Sequence, residues 1–395
     1  MKKSIGSIVV LVVLMMSLGS VAYAQGPVPC GDLDAADCAI LEGSQDAMLA
    51  LSSAQTEEAM SMFIGGIPDA PFSELGIDIA TNGQYSVDPD VRTEFLELST
   101  LSIEEFASDL DEIAGLLLEL YTVLNAEQNM TITLSDGVVD AIAEEGGMEM
   151  PATFGFGMIV ADGVVYFDVS DFAFLSPDPE AMENWFAIDA LEVLGISLEI
   201  LINADADGSE LPPEFQNFLV SLAMDDQEEM VQFVIVERLD DDQMGGEDVA
   251  VFQSTFDFNT FLASPEFREM VIEGMADADD MDMSPEEMDQ MLSMVGLMAP
   301  MFTTDLTATS TQYIGLDTLY LHRNDVNFNW DLTPAMALVA LADDTIELPD
   351  EAPVISFETS TVNSGFEEPI DILVPDNVIP IPSEVVFEGL AEMMN

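Results

Sequence analysis

The chain has 395 residues, of which 77 are Asp or Glu and only 6 are Lys or Arg, so its formal net charge is −71 at pH 7. This charge excludes nucleic acid and anionic lipid headgroups as partners, because both are bound through basic side chains. The hydrophobic fraction of 49% and the mean hydropathy of +0.28 exclude a disordered chain, since disorder combines high charge with low hydrophobicity. We therefore expect a folded, very acidic protein with a substantial core.

Residues 1–24 have the pattern of a secretory signal peptide. Lys2 and Lys3 precede an apolar run, and Ala22-Tyr23-Ala24 places small residues where signal peptidase cleaves. The apolar run is shorter than the roughly 20 residues that span a bilayer, which favours a signal peptide over an anchor. Cleavage would leave four arginines against 77 carboxylates. The sequence thus predicts a protein exported to the cell envelope or the extracellular space, without an integral membrane segment after cleavage.

Residues 25–53 form the predicted N-terminal helical segment. Apolar residues recur there at three- and four-residue steps, as on one face of a short helix. The segment contains Cys30 and Cys38, the only cysteines of the chain. In an exported protein such a pair favours a disulfide.

Two strands and a long helix follow in the predicted order. Ala59–Ile64 and Ile77–Val87 alternate apolar and polar residues, which predicts an antiparallel pair. Residues 92–124 carry an apolar stripe on one side, with a capping box that begins at Ser102. Met130–Leu134 is a further short strand. These elements predict a sheet that is covered by a helix.

The strongest local signal is a hairpin between residues 154 and 168. Two runs rich in Val, Ile, Phe and Tyr flank Asp162-Gly163, a dipeptide that readily adopts the positive φ angles of a two-residue hairpin turn. A two-stranded hairpin is only marginally stable by itself. Its apolar side chains must therefore be covered by other strands or helices of the chain.

The remaining residues contain further strand and helix patterns. The predicted strands are Met230–Arg238, Val249–Phe258, Thr303–Tyr313, Thr318–His322, Val326–Trp330, Val354–Val362 and Ile370–Val374. The predicted helices are Leu191–Ile202, Pro212–Met224, Pro334–Ala342 and two that begin at Ser264 and Ser284. Together these patterns predict a single α+β domain over residues 54–375, with an extended C-terminal tail over residues 376–395.

Three stretches resemble a known family. They are Trp185 with Ile188-Asp189 after the hairpin, Thr255–Phe258 before a helix, and Gly365–Ile372 near the end. Over residues 54–374 the chain resembles the LolA-like lipoprotein carriers, in particular the LppX and LprG branch. The resemblance implies a strongly curved antiparallel β-sheet, a half-open barrel, packed on several amphipathic helices around an apolar cavity.

The same resemblance implies a non-enzymatic carrier of lipids or lipidated molecules. Because the chain has so few basic residues, a neutral or cationic apolar ligand fits it better than an acidic lipid. The alternatives are an acidic structural or surface protein without a ligand, and a calcium-binding extracellular protein.

The candidate ligand-binding residues come from the hairpin region and from a methionine-rich segment. Methionine side chains make adaptable apolar surfaces and can also bind copper(I), although ordinary core packing is their commonest role. The candidates are Phe156, Met158, Phe172, Trp185, Met291, Met294 and Met298. We expect no catalytic residue, because His322 is the only histidine and is predicted to lie on the surface or on an edge strand.

An acidic stretch has the spacing of a calcium loop. Asn203, Asp205, Asp207 and Glu214 alternate as the oxygen ligands of a helix-loop-helix site do, with Gly208 at the bend. Asn203 replaces the usual Asp, and two prolines stiffen the exit. The alternative is an acidic turn in solvent, and no other cofactor is expected.

Overall fold

A computed structural model describes residues 28–66, 74–98, 110–146, 150–175, 179–193, 231–268, 305–334 and 353–383, together with residues 195, 300, 303, 337 and 385. The helices are α1 (Ala35–Leu49), α2 (Pro89–Leu98), α3 (Leu110–Val123), α4 (Asp136–Gly146) and α5 (Phe258–Leu262). The strands are β1 (Ser53–Gly65), β2 (Glu74–Ser86), β3 (Asn125–Leu134), β4 (Thr153–Ala161), β5 (Val164–Asp168), β6 (Trp185–Asp189), β7 (Val234–Arg238), β8 (Asp242–Met244), β9 (Glu247–Phe256), β10 (Leu306–Gly315), β11 (Leu321–Asp331), β12 (Val354–Ser364) and β13 (Val378–Pro380). Two 3₁₀ helices, Ser170–Leu175 and Pro179–Glu183, connect β5 to β6.

The strands of this part of the chain form one open, mixed sheet. Their order is β13-β6-β5-β4-β3-β2-β1-β12-β11-β10-β9-β7, with β8 paired to β9. Strands β1–β6 and strands β7–β12 are two sets of antiparallel neighbours, and the two sets join where β1 pairs with β12. The path does not close into a barrel, since β7 and β13 lie at opposite ends. The predicted α+β fold, an antiparallel sheet packed on helices, is confirmed, with β13 added as a parallel strand beside β6.

The predicted hairpin is β4–β5. Asp162 and Gly163 have φ angles of 52° and 77°, as a turn with two positive-φ residues requires. The side chain of Leu191 covers this turn so closely that a Cβ on Gly163 would lie 2.4 Å from its Cδ1 atom. The hairpin is therefore fixed both by its turn residues and by what packs on it.

The N-terminal segment is anchored by the predicted disulfide and by a helix cap. Cys30 and Cys38 are joined, with their Cα atoms 5.3 Å apart. The carboxylate of Asp34 accepts hydrogen bonds from the backbone N–H groups of residues 36 and 37 at the start of α1. Leu41 then packs with Ala250, Phe252 and Ile314, which places α1 on β9 and β10.

The second buried core lies on the other half of the sheet. Residues of α2, of α3 and of the β2–α2 connection pack there on β4 and β5. The fully packed members are Val87, Val91, Leu120, Tyr121, Leu124, Met158, Val160, Val165 and Ala190. A smaller cluster of Leu134, Val138 and Phe154 joins α4 to β3 and β4. Helices thus cover the first strands and the last strands of the sheet order, on either side of the central strands.

Several elements differ from the sequence prediction, which did not include β8, β13 or the two 3₁₀ helices. Helix α4 was not predicted, because its apolar residues span only two turns between glycine-containing flanks. The predicted strands 318–322 and 326–330 merge into β11, which pairs with β10 across a bulge at Tyr313 and Ile314. Residues 370–374 form no strand, and Leu373 is 76% exposed. That strand has no free partner here, because β1 and β11 already occupy both sides of β12.

Other predictions concern residues outside the described part. They are the signal peptide, the helix Pro212–Met224, the helix that begins at Ser284 and the calcium loop. No helix among the described residues has the length and apolar character needed to span a membrane.

Candidate functional site

The centre of the sheet has two chemically different faces. Residues paired directly across antiparallel strands lie on the same face, and the faces alternate along each strand. On one side of β1, β2, β3, β11 and β12 the side chains are large and apolar, and we call this the apolar face. Its members are Met60, Met62, Ile64, Leu75, Ile77, Ile79, Ile132, Val326, Phe328, Trp330, Ile355 and Phe357.

Leu134 of β3 lies on the same side and is buried against α4, where Leu75, Ile77 and Ile132 pack beside it. None of the twelve members of the apolar face is fully buried. Eleven of its members are half-buried, and Met62 is 37% exposed. By contrast, Phe252 beneath α1 and Met158 beneath α3 are 1% and 2% exposed. Strand pairing places these two buried residues on the same side of the sheet as the apolar face, so α1 and α3 pack on this side. The apolar face is therefore an incompletely covered strip between two packed cores.

A row of polar residues, which we call the polar row, crosses the same face next to Met60. Glu58 is paired with Thr81 on one side and with Thr361 on the other, and Thr361 is paired with Asn324. Asn324 is 6% exposed, and its Oδ1 atom accepts a hydrogen bond from the Ser310 hydroxyl at 2.8 Å. The Oγ1 atom of Thr361 is buried and has no hydrogen-bond partner among the described residues.

Glu58 is a half-buried carboxylate with little support from its surroundings. It accepts one long hydrogen bond, from Thr359 Oγ1 at 3.4 Å. The described ion pairs of Arg238 are with Asp37 and Asp241, and that of Arg323 is with Asp325. None of the described ion pairs reaches Glu58.

The opposite face of the same strands is polar and exposed, and it carries a groove of about 520 Å³. Its floor is made by the small residues Ala59 and Ala80. Its polar walls are already joined to one another: Ser61 Oγ donates to Asp78 at 2.6 Å, Ser360 Oγ to Asp325 at 2.7 Å and Asn327 Nδ2 to Glu358 at 3.3 Å. The groove therefore has an apolar floor, and these polar side chains of its walls are already paired with one another.

Of the predicted hairpin-region residues, Phe156 and Phe172 both pack against the buried cluster that contains Phe167 and Ile188. Met158 lies in the buried core under α3, with Phe156 packed beside it. Phe172 packs edge-to-face on Phe154, with ring centroids 5.2 Å apart. Trp185 lies on the other face of the sheet, where its indole covers Gly157.

The remaining predicted site residues, Met291, Met294 and Met298 of the methionine-rich segment and Asn203, Asp205, Asp207 and Glu214 of the calcium loop, lie outside the described residues. Among the described residues, the one close group of three potential metal ligands is Cys30, Cys38 and Glu42. Both sulfurs of that group are in the disulfide and cannot act as thiolate ligands.

The single histidine occupies an interior strand. His322 lies in β11, its side chain is 14% exposed, and its Nε2 atom is 3.1 Å from Glu247 Oε2. The prediction of a surface or edge-strand histidine is wrong, because β11 lies between β10 and β12 and the imidazole packs edge-to-face on Phe366, with ring centroids 5.2 Å apart. Glu247 also accepts hydrogen bonds from the backbone N–H groups of Asp317 and Thr318 at 3.0 and 2.9 Å.

These contacts set the titration of Glu247. Partial burial raises the pKa of its carboxyl, but the hydrogen bonds donated by Thr318, Asp317 and His322 outweigh that effect and hold the pKa below its ordinary value of 4.5. Glu247 therefore holds the β10–β11 turn as an anion.

Comparison with known proteins gives distant structural similarity. No family model and no curated protein sequence matches the chain. Among solved structures, it is similar to the lipoprotein LppX from Mycobacterium tuberculosis, with 10% identity, a TM-score of 0.25 and coverage of 86% of this chain and 100% of LppX. It is similar to LprF from Mycobacterium bovis, with 9% identity, a TM-score of 0.28 and coverage of 89% and 99%.

A protein of the DUF1329 family from Desulfovibrio piger also matches, with 9% identity, a TM-score of 0.17 and coverage of 88% and 96%. LppX, whose branch the sequence resembles, is one of these matches.

Sequence reasoning missed the polar row. A signal for it was present in β1, where Thr56, Glu58, Met60, Met62 and Ile64 share one parity. An acid among the alternate positions that otherwise carry the apolar side chains of a strand is unusual, since carboxylates avoid burial without a partner. The partners Thr361 and Asn324 follow only from the register of β12 and β11.

Proposed function

We propose that this protein is an exported, non-enzymatic carrier or binding protein whose apolar ligand lies on the apolar face. The observation that carries this proposal is the incomplete cover of twelve large apolar side chains at the centre of the sheet, between two cores that are fully packed. Contiguous apolar surface of this kind marks interaction sites in soluble proteins. The LolA-like resemblance of the sequence agrees with this function.

The energetics favour an apolar occupant. Each square ångström of apolar surface removed from water contributes roughly 25 cal/mol, so covering the half-exposed strip stabilises a complex without any specific polar contact. A ligand that binds in this way is held by shape and apolar area. We propose that Met291, Met294 and Met298 supply the cover from the helix side, since flexible methionines adapt to variable ligands.

The scarcity of catalytic groups supports a role other than catalysis. His322 is the only histidine of the chain, and its partner Glu247 is engaged by three further donors of the β10–β11 turn. A general base must be free to reach a substrate proton. The His322–Glu247 pair is better explained by a structural role, in which it stabilises the β10–β11 turn.

Binding of Nile red, an uncharged apolar dye, tests the proposal. We expect saturable binding to the purified protein with a rise in dye fluorescence. Met62→Gln should weaken it, because this change places an amide on the apolar face. Phe63→Gln is the matched control, since Phe63 is the next residue of β1, is 36% exposed against 37% for Met62, and lies on the polar face.

Two results would contradict the proposal. One is the absence of saturable dye binding by the folded protein. The other is equal loss of binding in both variants, which would place the dye elsewhere. Native mass spectrometry of protein purified from its own host provides a second measurement, because a retained lipid or other apolar molecule would be seen directly as added mass.

A further inference from the structure

The polar row lies at one end of the proposed ligand site and contains groups that the protein leaves without adequate partners. Thr361 Oγ1 is buried and unpaired, and the directly opposite Glu58 is half-buried with one hydrogen bond of 3.4 Å. Burying a hydroxyl or a carboxylate without good partners costs free energy. A ligand that supplies hydrogen-bond partners to these groups would recover part of this cost.

The position of the row suits the head group of an amphiphile. Met60, Met62 and Ile64 continue along β1 from Glu58 with the same parity, and Trp330 is paired with Ile355 at the far end of the strip. From Glu58 to Ile64 the strand advances six residues, about 20 Å at roughly 3.3 Å per residue. An extended alkyl chain could lie along this strip with its head at the polar row.

The charges of the row decide which head group fits. Glu58 supplies an anionic acceptor, and the hydroxyl of Thr361 and the amide of Asn324 can accept as well as donate. The described ion pairs place Arg238 and Arg323 on other carboxylates. A carboxylate or phosphate head would meet Glu58 as a like charge, whereas an ammonium would form a charge-assisted hydrogen bond with it.

We propose that the ligand is a long-chain amphiphile with a cationic amine head, and that Glu58, Thr361 and Asn324 hold this head. This inference rests on the proposed function, because it places the alkyl chain on the apolar face. It adds a chemical class: single-chain or lipid-like amines bind in preference to the corresponding alcohols, and carboxylates bind least.

The experiment compares dodecylamine, dodecanol and dodecanoate, each below its micelle concentration, by isothermal titration calorimetry. The wild-type protein should bind dodecylamine tightest. Glu58→Gln should weaken dodecylamine binding by about tenfold to a hundredfold, the range expected for a hydrogen bond to a charged group. Dodecanol and Nile red binding should change little in this variant.

Glu57→Gln is the control for general attraction of amines to so acidic a protein. It removes one charge from the neighbouring residue of β1, but Glu57 points to the polar face. Thr361→Val tests the row independently: it should weaken binding of both amine and alcohol, and it should leave the apo protein as stable or more stable, since it removes an unpaired buried hydroxyl.

The outcomes separate the two proposals. If Nile red binds but Glu58→Gln and Glu57→Gln weaken dodecylamine equally, or dodecanoate binds as tightly as the amine, the head-group assignment is wrong and the apolar site stands. If neither Nile red nor any dodecyl compound binds the folded protein, the proposed function fails and the head-group assignment fails with it.

Discussion

The β4–β5 turn allows a sharp test of how the fold is held. Gly163→Ala introduces two separable costs. A left-handed backbone at φ 77° costs an L-residue roughly 1–2 kcal/mol. The new Cβ would also lie 2.4 Å from Leu191 Cδ1 and 2.6 Å from its Cγ, so the isobutyl group must move, at roughly 1–3 kcal/mol for overpacking. We expect a total loss of about 2–5 kcal/mol in the free energy of unfolding.

Two other glycines provide matched controls. Gly245→Ala, in the β8–β9 turn at φ 61°, meets no atom within 4 Å and should cost only the roughly 1–2 kcal/mol of backbone strain. Gly115→Ala, in α3, also has open space and should stabilise by roughly 0.5–1 kcal/mol, because alanine is the better helix former.

Urea denaturation followed by circular dichroism measures all three changes. A double variant that adds Leu191→Ala to Gly163→Ala should recover the steric part, which appears as a favourable coupling energy in the cycle. Equal costs for Gly163→Ala and Gly245→Ala, or zero coupling with Leu191→Ala, would show that Leu191 does not pack on this turn.

Three further outcomes follow from charge and burial. Arg92 is 4% exposed and donates hydrogen bonds to the Leu51 carbonyl and the Tyr85 hydroxyl, so Arg92→Ala should lower the free energy of unfolding by roughly 2–4 kcal/mol. Arg323 is more exposed, so Arg323→Ala should lower it by less than about 1 kcal/mol. Equal losses in the two variants would refute this explanation. Because the folded pKa of Glu247 lies below its ordinary 4.5, its contribution is present above about pH 4.5 and lost as pH falls through the folded value; the stability gap between wild type and Glu247→Gln should be constant at higher pH and shrink in acid, and a gap that widens in acid would contradict the sign. Acidification from about pH 7 to pH 5, or added salt, should raise the Tm of the wild type by relieving self-repulsion among 77 acids, and a Tm that falls steadily over this range at low salt would be the opposite of what the charge predicts.

Local signals in the sequence determined the elements whose cause is local. Asp162-Gly163 specifies a turn with two positive φ angles, and such a turn joins two antiparallel strands whatever surrounds it. Cys30 and Cys38 are close enough in sequence that the turn at residues 30–33 and the first turn of α1 bring them together. The alternating residues of β1 likewise show that one side of this strand is apolar and the other polar. Composition and these patterns were therefore sufficient to predict the α+β class and to identify which side of β1 is apolar.

Tertiary structure alone decided which strands meet. β1 pairs with β12, about 300 residues later in the chain, and a shift of one residue in that register would have turned Thr361 to the opposite face from Glu58. Nothing local in either strand encodes the pairing, because each would fit many partners. For the same reason the prediction of a strand at 370–374 failed, since its apolar residues were sufficient but β1 and β11 already occupy both sides of the preceding strand β12. The amino-acid sequence thus fixes the chemistry of each strand face, whereas the long-range register decides which faces combine into the apolar face and the polar row.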